Sequence, residues 1–538
     1  MMIKVYKYSL FLLMGLALPL WSCFGHVESS QSVYHINSIT GDDQADGLSS
    51  TAAWRTIEKI QGTKLFPGDT VKFMRGSAFE VPFFVHDSGT EDNPIVVTDY
   101  GDKALPAPAF TNKVFVQDNF GNCIRIKGSY VIVENLYFHE TTVYIDGNYV
   151  SDGGWPIWEM GAIYIDKGAK HCIVRNNELF DCPVGIKSYG EHALITYNYI
   201  HDCNRVLKEW TWGPLGIWFG ADYQEASYNR IFNYRAEDSR IGWGSGVGGG
   251  ADGGAFEIDD ARYPKSNISI HHNYTRDCQG FLEVTWTDVL QNPDYENFKI
   301  HHNISDDYQA FTAVWRGKNF EIDNNTIVRR KVNSNDWGVF NITGTNTYNK
   351  IRNNIIVTEG NIQIFNNGIQ NVSKPKNIIE NNLYFAATGT IKLGTEGPGV
   401  GLVQGNPLFE NYNRLEFASD FFITQGSPAI DKGKNLAYTY DFVNNTIPKG
   451  DSPDIGAYEY DPVSSVPEKN ETLSKIYRNA DAIVINNQEN HKQATIYSLL
   501  GVLIKRIDLV QGKNYIHLID KQPYLVSLEN GVRTIITN

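Results

Sequence analysis

The chain has 538 residues, enough for roughly two to four domains or for one large repeat domain with an appendage. It is acidic, with a formal net charge of −14, which argues against nonspecific binding to nucleic acid. Aromatic residues make up 13%, with 11 Trp, and that fits a sugar-stacking surface and a large core equally well.

Lys4 and Lys7 precede an apolar run from Leu10 to Leu20, and Ser22 and Gly25 follow it. This is the pattern of a secretion signal over residues 1–25. The run is too short to span a bilayer. Cys23, in Leu20-Trp21-Ser22-Cys23, loosely resembles a bacterial lipoprotein processing site. The expected location is therefore outside the cytoplasm, periplasmic or at the cell surface, with membrane attachment only through a lipid on Cys23. Six Cys in an exported chain raise the question of disulfides. Cys182, Cys203 and Cys278 each lie five residues after an Asn (Asn177, Asn198, Asn273), and each follows an Asp. They read as one inward position repeated on several coils. Buried free thiols are expected, with a Cys182–Cys203 disulfide as the alternative.

Residues 32–78 predict a strand, an acidic turn with Asp42, Asp43 and Asp46, a short amphipathic helix around Trp54 to Ile60, and a strand after Pro67-Gly68-Asp69. The three Asp read as a solvated turn rather than a metal loop.

From about residue 120 a repeat appears. Its core is an apolar pair, an Asn and another apolar residue, at Asn135, Asn177, Asn198, Asn229, Asn273, Asn303, Asn325, Asn354 and Asn382. The shortest separation, 21 residues between Asn177 and Asn198, is one coil of a solenoid with three short strands. Longer separations are that coil plus loops. Stacked Asn side chains bond each other and nearby backbone, so the ladder is structural. The pairs His271-His272 and His301-His302 fall within the motif, and coil position explains them better than metal binding does.

A further strand follows each Asn: residues 161–167, 185–191, 216–222, 254–260, 280–286, 310–316 and 338–344. Aligned on the leading Gly or Ala, Ile163, Ile165, Trp218, Phe256, Ile258, Leu282, Val284, Val314, Phe340 and Ile342 face inward. Tyr164, Asp166, Ser188, Phe219, Glu257, Asp259, Glu283, Thr285, Trp315, Asn341 and Thr343 face outward. Lys187 and Tyr189 break the pattern, which suggests a shifted register in their coil. Coils stack at about 4.8 Å, so Glu257, Asp259 and Glu283 form a compact acidic cluster flanked by Asp222, Asp260 and Arg316. Insertions at 139–160, 203–215 and 234–253, with a fourth at 287–298, wall that face. Grouped insertions usually mark the binding face of a solenoid.

Residues 461–474 form a polar linker, and 475–538 alternate as strands of a small β-sandwich tail resembling the sorting-type tails of exported Bacteroidetes proteins. The expected organisation is a signal peptide at 1–25, a β-helix catalytic domain with an N-terminal cap at 26–460, the linker, and the sandwich.

The cap at 32–78, the Asn ladder, and the segment 427–459 (SPAIDKG…DSPDIGAYEY, like those that close many bacterial β-helices) carry a resemblance. It spans residues 32–460 and is to secreted right-handed parallel β-helix proteins of the pectate-lyase type. The resemblance implies an all-β solenoid acting on a polysaccharide, as a lyase or a glycoside hydrolase. The Asn-Thr-Asp and Gly-His-Gly pattern of polygalacturonases is not found.

A lyase must neutralise a uronate carboxylate so that the C5 proton becomes acidic. Ca²⁺ held by Glu257, Asp259 and Glu283 could do so. Arg316, Arg262 or Lys208 would then be the cationic partner or base. Trp210, Trp212, Trp286, Trp315 and Tyr164, with Asp222 and Asp260, would bind substrate. A hydrolase would use the same acids as proton donor and nucleophile or base. Crowded carboxylates raise one another's pKa, which suits an acid. The third reading is a noncatalytic glycan-binding protein with structural Ca²⁺. Lyase ranks slightly above hydrolase, and both rank above the binding protein. A monomer is expected.

Overall fold

The computed structural model describes residues 31–536 apart from 117, 145–155, 206, 208–212, 236–252, 259–264, 285–294, 316, 331–337, 344–347, 367–376, 395, 413–417, 462–474, 480–481, 488–491, 499–502, 518–523 and 529–532. Three long sheets dominate, two of 12 strands and one of 11, and every neighbouring pair within them is parallel. Each coil contributes one short strand to each sheet in turn. One coil runs through Ile173–Arg175, Glu178–Phe180 and Val184–Ser188, and the next through Leu194–Thr196, Tyr199–Cys203 and Leu215–Phe219. This is a parallel β-helix.

The Asn repeat alone suggests roughly ten coils; the first two sheets count 12 strands. The extra coils come from the N-terminal region, where Val33–Ile36, Thr70–Met74 and Ile95–Tyr100 pair without an Asn to mark them. The cap helix spans Ile57–Gln61. Asp43 holds its start by accepting from the Arg55 and Thr56 amides and from the Thr56 hydroxyl, and burial of Ile57 and Ile60 anchors it.

The ladder is continuous from Asn177 to Asn382. Each backbone N–H donates to the Oδ1 of the Asn one coil on, from 3.2 Å at Asn177–Asn198 to 2.9 Å at Asn354–Asn382. The position equivalent to Asn177 one coil earlier is Leu136, whose N–H donates to Asn177 Oδ1. Asn135, read from sequence as a ladder member, instead occupies the preceding turn position with φ 63°. That preceding position is left-handed in each ladder coil, with φ from 50° to 56° at Asn176, Tyr197, Tyr228, His272, His302, Asn324, Asn353 and Asn381. Asn and His tolerate that conformation better than most residues, which accounts for the Asn-Asn and His-Asn pairs. Asp181, Asp202 and Asp277 take the same conformation at the next corner, ahead of Cys182, Cys203 and Cys278.

The bore is filled by one apolar cluster that includes Ile163, Ile186, Ile217, Phe256, Leu282 and Phe340, all essentially without exposure. Cys123, Cys172, Cys182, Cys203 and Cys278 are free and buried, so Cys182 and Cys203 are not joined. Burial pushes the Cys182 thiol up to about 12.

The segment resembling an end closure instead lies lengthwise along the helix. Lys432 O accepts from Asn381 Nδ2, Lys434 O from Asn353 Nδ2, and Asp441 O lies 3.1 Å from His272 Nε2. The Tyr228 hydroxyl reaches Asn444 Oδ1. Phe421, Ile423, Ala429, Ile455 and Tyr458 then cover the outer face of the second sheet over Tyr274, Ile304, Val328, Ile355 and Leu383. Between Lys475 and Ile536, three- and four-stranded antiparallel sheets share a core of Ile483, Ile485, Ile496, Ile516 and Val526.

Candidate functional site

The third sheet carries one outward residue per coil in strict lateral register. The row reads Phe84, Arg125, Tyr164, Lys187, Trp218, Glu257, Glu283, Ala313, Asn341 and Asn366. Inward neighbours on the same strands, such as Phe256 and Leu282, fix this register because a slip of one residue would expel them from the bore. Glu257 and Glu283 are direct partners, and each is 4% exposed.

Toward the N-terminus the row turns cationic. Lys187 is fully buried, with Nζ 3.2 Å from the Trp218 ring centroid, a close cation–π contact. Arg125 lies over Tyr164, its Cζ 4.5 Å from the ring centroid. It also pairs with Asp166 Oδ1 at 2.6 Å and Glu159 Oε2 at 3.0 Å. Burial works against its charge, and the Asp166 hydrogen bond and both ion pairs outweigh that and raise its pKa.

The alignment on leading glycines fails in two coils. It puts Trp218 inward and Phe219 and Ser188 outward, whereas Trp218 is outward in the row of Glu257 and Phe219 stacks inward on Phe256 at 6.0 Å. Ser188 also points inward, with its hydroxyl accepting from Gln224 Nε2 at 2.8 Å. The reason is that Gly185 and Gly216 do not correspond to Gly254. Leu215 pairs with Gly254, so Gly216 lies level with Ala255, where an added Cβ would come within 2.6 Å of Ala255 O. The two glycines were selected for a close backbone approach at the strand, not for the bend before it. Shifting both strands by one residue brings Lys187 and Trp218 into the row, and the charged residue between Ile186 and Ser188 was the signal for that shift.

Of the residues named from sequence, Glu257 and Glu283 are adjacent and Tyr164 lies in the same row. Trp315 ends the strand Thr312–Trp315 and pairs with Thr343. Asp222 lies past the end of the Leu215–Phe219 strand, where its Oδ1 accepts from the Ser266 N–H at 2.6 Å; it holds a turn and is not brought into the row. Asp259, Asp260, Arg262, Lys208, Trp210, Trp212, Trp286 and Arg316 lie outside the described residues. Three insertions leave the helix between second- and third-sheet strands, before Ile163–Ile165, Leu215–Phe219 and Gly254–Ile258. The fourth follows Leu282–Val284.

The described residues do not build a Ca²⁺ cage. Ca²⁺ takes six to eight oxygen ligands. Among the described residues no group of three or more His, Cys, Asp or Glu could hold a metal ion. The His pairs form stacks rather than a site: His271 on His301 at 4.9 Å, and His272 on His302 at 5.3 Å. Burial, then neighbouring imidazoles, lowers His301 and His302 well below the usual value, and His272 falls to about 3.

No family model matches the chain. A lacto-N-biosidase of Bifidobacterium longum subsp. longum is 24% identical over a 605-residue alignment covering 81% of this chain and 37% of that protein. The chain thus spans little more than a third of the length of that relative. Among solved structures, the GH136 lacto-N-biosidase from Eubacterium ramulus is similar with a TM-score of 0.39 and 16% identity, over 66% of this chain and 68% of that one. Pectate lyase Pel9A is similar with a TM-score of 0.49 and 14% identity, over 80% of this chain and 97% of that one.

Proposed function

We propose that this chain is an exported glycan-cleaving enzyme, and that it works as a glycoside hydrolase with Glu257 and Glu283 as its carboxylate pair. The observation that carries this is their lateral pairing, buried, on adjacent strands of the third sheet. Strands about 4.8 Å apart hold two such carboxyl groups near the roughly 5–5.5 Å separation of retaining glycosidases. In that geometry one acid protonates the leaving glycosidic oxygen. The other attacks the anomeric carbon, and water then releases the sugar with the first residue acting as base. The relative from Bifidobacterium longum, a lacto-N-biosidase, supports hydrolysis over elimination and makes an oligosaccharide with a terminal lacto-N-biose unit a first substrate to try. This order reverses the one drawn from sequence.

A lyase is the second reading, favoured by the buried Lys187 in the same row, a cation of the kind that could neutralise a uronate. Ca²⁺ held by Glu257, Asp259 and Glu283 is tested by the chelator below, Asp259 lying outside the described residues. Export from residues 1–25 and a lipid on Cys23 are part of the proposal, tested by labelling with a lipid precursor against Cys23→Ser.

The deciding experiment incubates the full chain with lacto-N-biose-terminated oligosaccharides and with pectins, alginate and glycosaminoglycans, with and without chelator. New reducing ends without an unsaturated, ultraviolet-absorbing product mean hydrolase. The unsaturated product means lyase. Neither product, with glycan still bound, means a binding protein and ends the enzymatic reading.

A further inference from the structure

Two members of the row carry buried polar atoms with no hydrogen-bond partner among the described residues. Trp218 is 1% exposed, and its indole N–H has no hydrogen-bond partner. Asn341 is 2% exposed, and neither its Oδ1 nor its Nδ2 has one. Native proteins rarely leave such groups unpaired, because the hydrogen bonds given up to water are not replaced. The contrast lies within the same molecule. Ladder residue Asn303 accepts from Asn273 and donates to Ile270 O and Asn325 Oδ1. An amide that only filled space at position 341 would be better replaced by an apolar residue of similar size.

Both groups bracket the acid pair. Trp218 is the lateral neighbour of Glu257 on one side. On the other side Ala313 follows Glu283, and Asn341 follows Ala313. Ala313 carries only a methyl group, so within the row no long side chain stands between Glu283 and Asn341. The Cα positions of Glu283 and Asn341 are two rungs apart, about 10 Å. That is beyond a sugar held at the acids and within reach of the next unit.

We infer that Trp218 and Asn341 are substrate-binding groups on opposite sides of Glu257 and Glu283, and that Asn341 reads two neighbouring hydroxyls of the sugar adjoining the one that is cleaved. The inference rests on the proposed function and adds a substrate class: a glycan of at least two units lying across the row. The chemistry is that of the amide itself. It offers a donor and an acceptor side by side in one plane, and vicinal hydroxyls offer the complement. The indole supplies a single donor, while its ring face is already taken by Lys187.

The test uses Asn341→Leu and Trp218→Phe in the full chain. Asn341→Leu is expected to raise Tm, because an unsatisfied amide is replaced by an apolar group of similar volume. It is expected to lower kcat/KM about tenfold or more on the glycan that the wild type cleaves, and to lose that effect on a substrate shortened by the adjoining unit. Trp218→Phe keeps a ring for Lys187, removes the N–H, and is expected to lower kcat/KM in the same assay. A lower Tm for Asn341→Leu, or kcat/KM within twofold of wild type for both variants, overturns the inference and leaves the proposed function standing. If the wild type cleaves no glycan, the proposed function falls. Binding of the same glycans to wild type and Asn341→Leu then decides: weaker binding by the variant supports the inference, and equal or absent binding overturns it.

Discussion

Glu257 and Glu283 face each other across one rung of the third sheet, with Phe256 and Leu282 beside them locking the register from inside the bore. Glu257→Gln and Glu283→Gln should each lower kcat/KM by about 10²–10⁴, the range for losing a positioned acid or base. The double variant should be little worse than the poorer single, since the two act as a unit. Steady-state kinetics and thermal unfolding check this; folded single variants with wild-type rates would end the site assignment.

The ladder should be unequal along its length. Asn303 lies mid-stack with neighbours on both sides, so Asn303→Ala strands the Asn273 N–H and the Ile270 carbonyl. A loss of about 2–4 kcal/mol is expected from several buried bonds left unmade. Asn382 ends the Asn stack; Asn382→Ala strands the Asn354 N–H and the Ile351 carbonyl but has no onward donation to lose, so it should cost less by about one hydrogen bond, about 0.5–1.5 kcal/mol. Urea unfolding of the two variants compares them directly; equal losses would contradict the ordering.

Acid should act on the protein through the His stack. Burial, then the neighbouring His271 charge, lowers His272 from 6.5 to about 3. A depressed folded pKa gives stability that is present above 6.5 and is lost as pH falls through the window toward 3, because the unfolded chain takes up the proton first. Burial acts the opposite way on Asp307, raised to about 7, so its contribution is full below pH 3.8 and fades as pH rises toward 7. His272→Gln should therefore flatten the decline of unfolding free energy between pH 6.5 and 4 by up to about 1.4 kcal/mol per pH unit. Denaturant titrations at several pH values measure that slope, and an unchanged slope would rule His272 out.

The solenoid was legible because its signals are local and repeated. An Asn, an apolar residue and a left-handed corner before them recur wherever a coil turns, as at Asn177 and Asn354. The coils of Val33–Ile36, Thr70–Met74 and Ile95–Tyr100 lack that signal, and counting from Asn alone misses them; in the next coil Asn135 gives the signal although Leu136 fills the ladder position. Glu257 and Glu283 were legible from alternation. Lys187 and Trp218 were not, because Gly216 looks like Gly254 in sequence and differs only in which backbone approaches it. The lengthwise path of residues 432–444 was hidden too. Its anchors mix carbonyl oxygens, such as those of Lys434 and Asp441, with side chains such as Tyr438 and Asn444 that recur at no fixed spacing, so no repeat announces them.

That path changes how the molecule should come apart. A stack of coils joined only to nearest neighbours frays one repeat at a time, like a one-dimensional chain of weakly coupled spins. Here a single strap fastens Asn381, Asn353 and His272 to backbone carbonyls, and Tyr228 to the Asn444 side chain, all within one continuous stretch of chain. Losing the last coil cannot then be a private event of that coil, because the strap must lift from the others as well. The C-terminal half should melt in one transition rather than a staircase, and cutting the strap between residues 434 and 438 should restore the staircase.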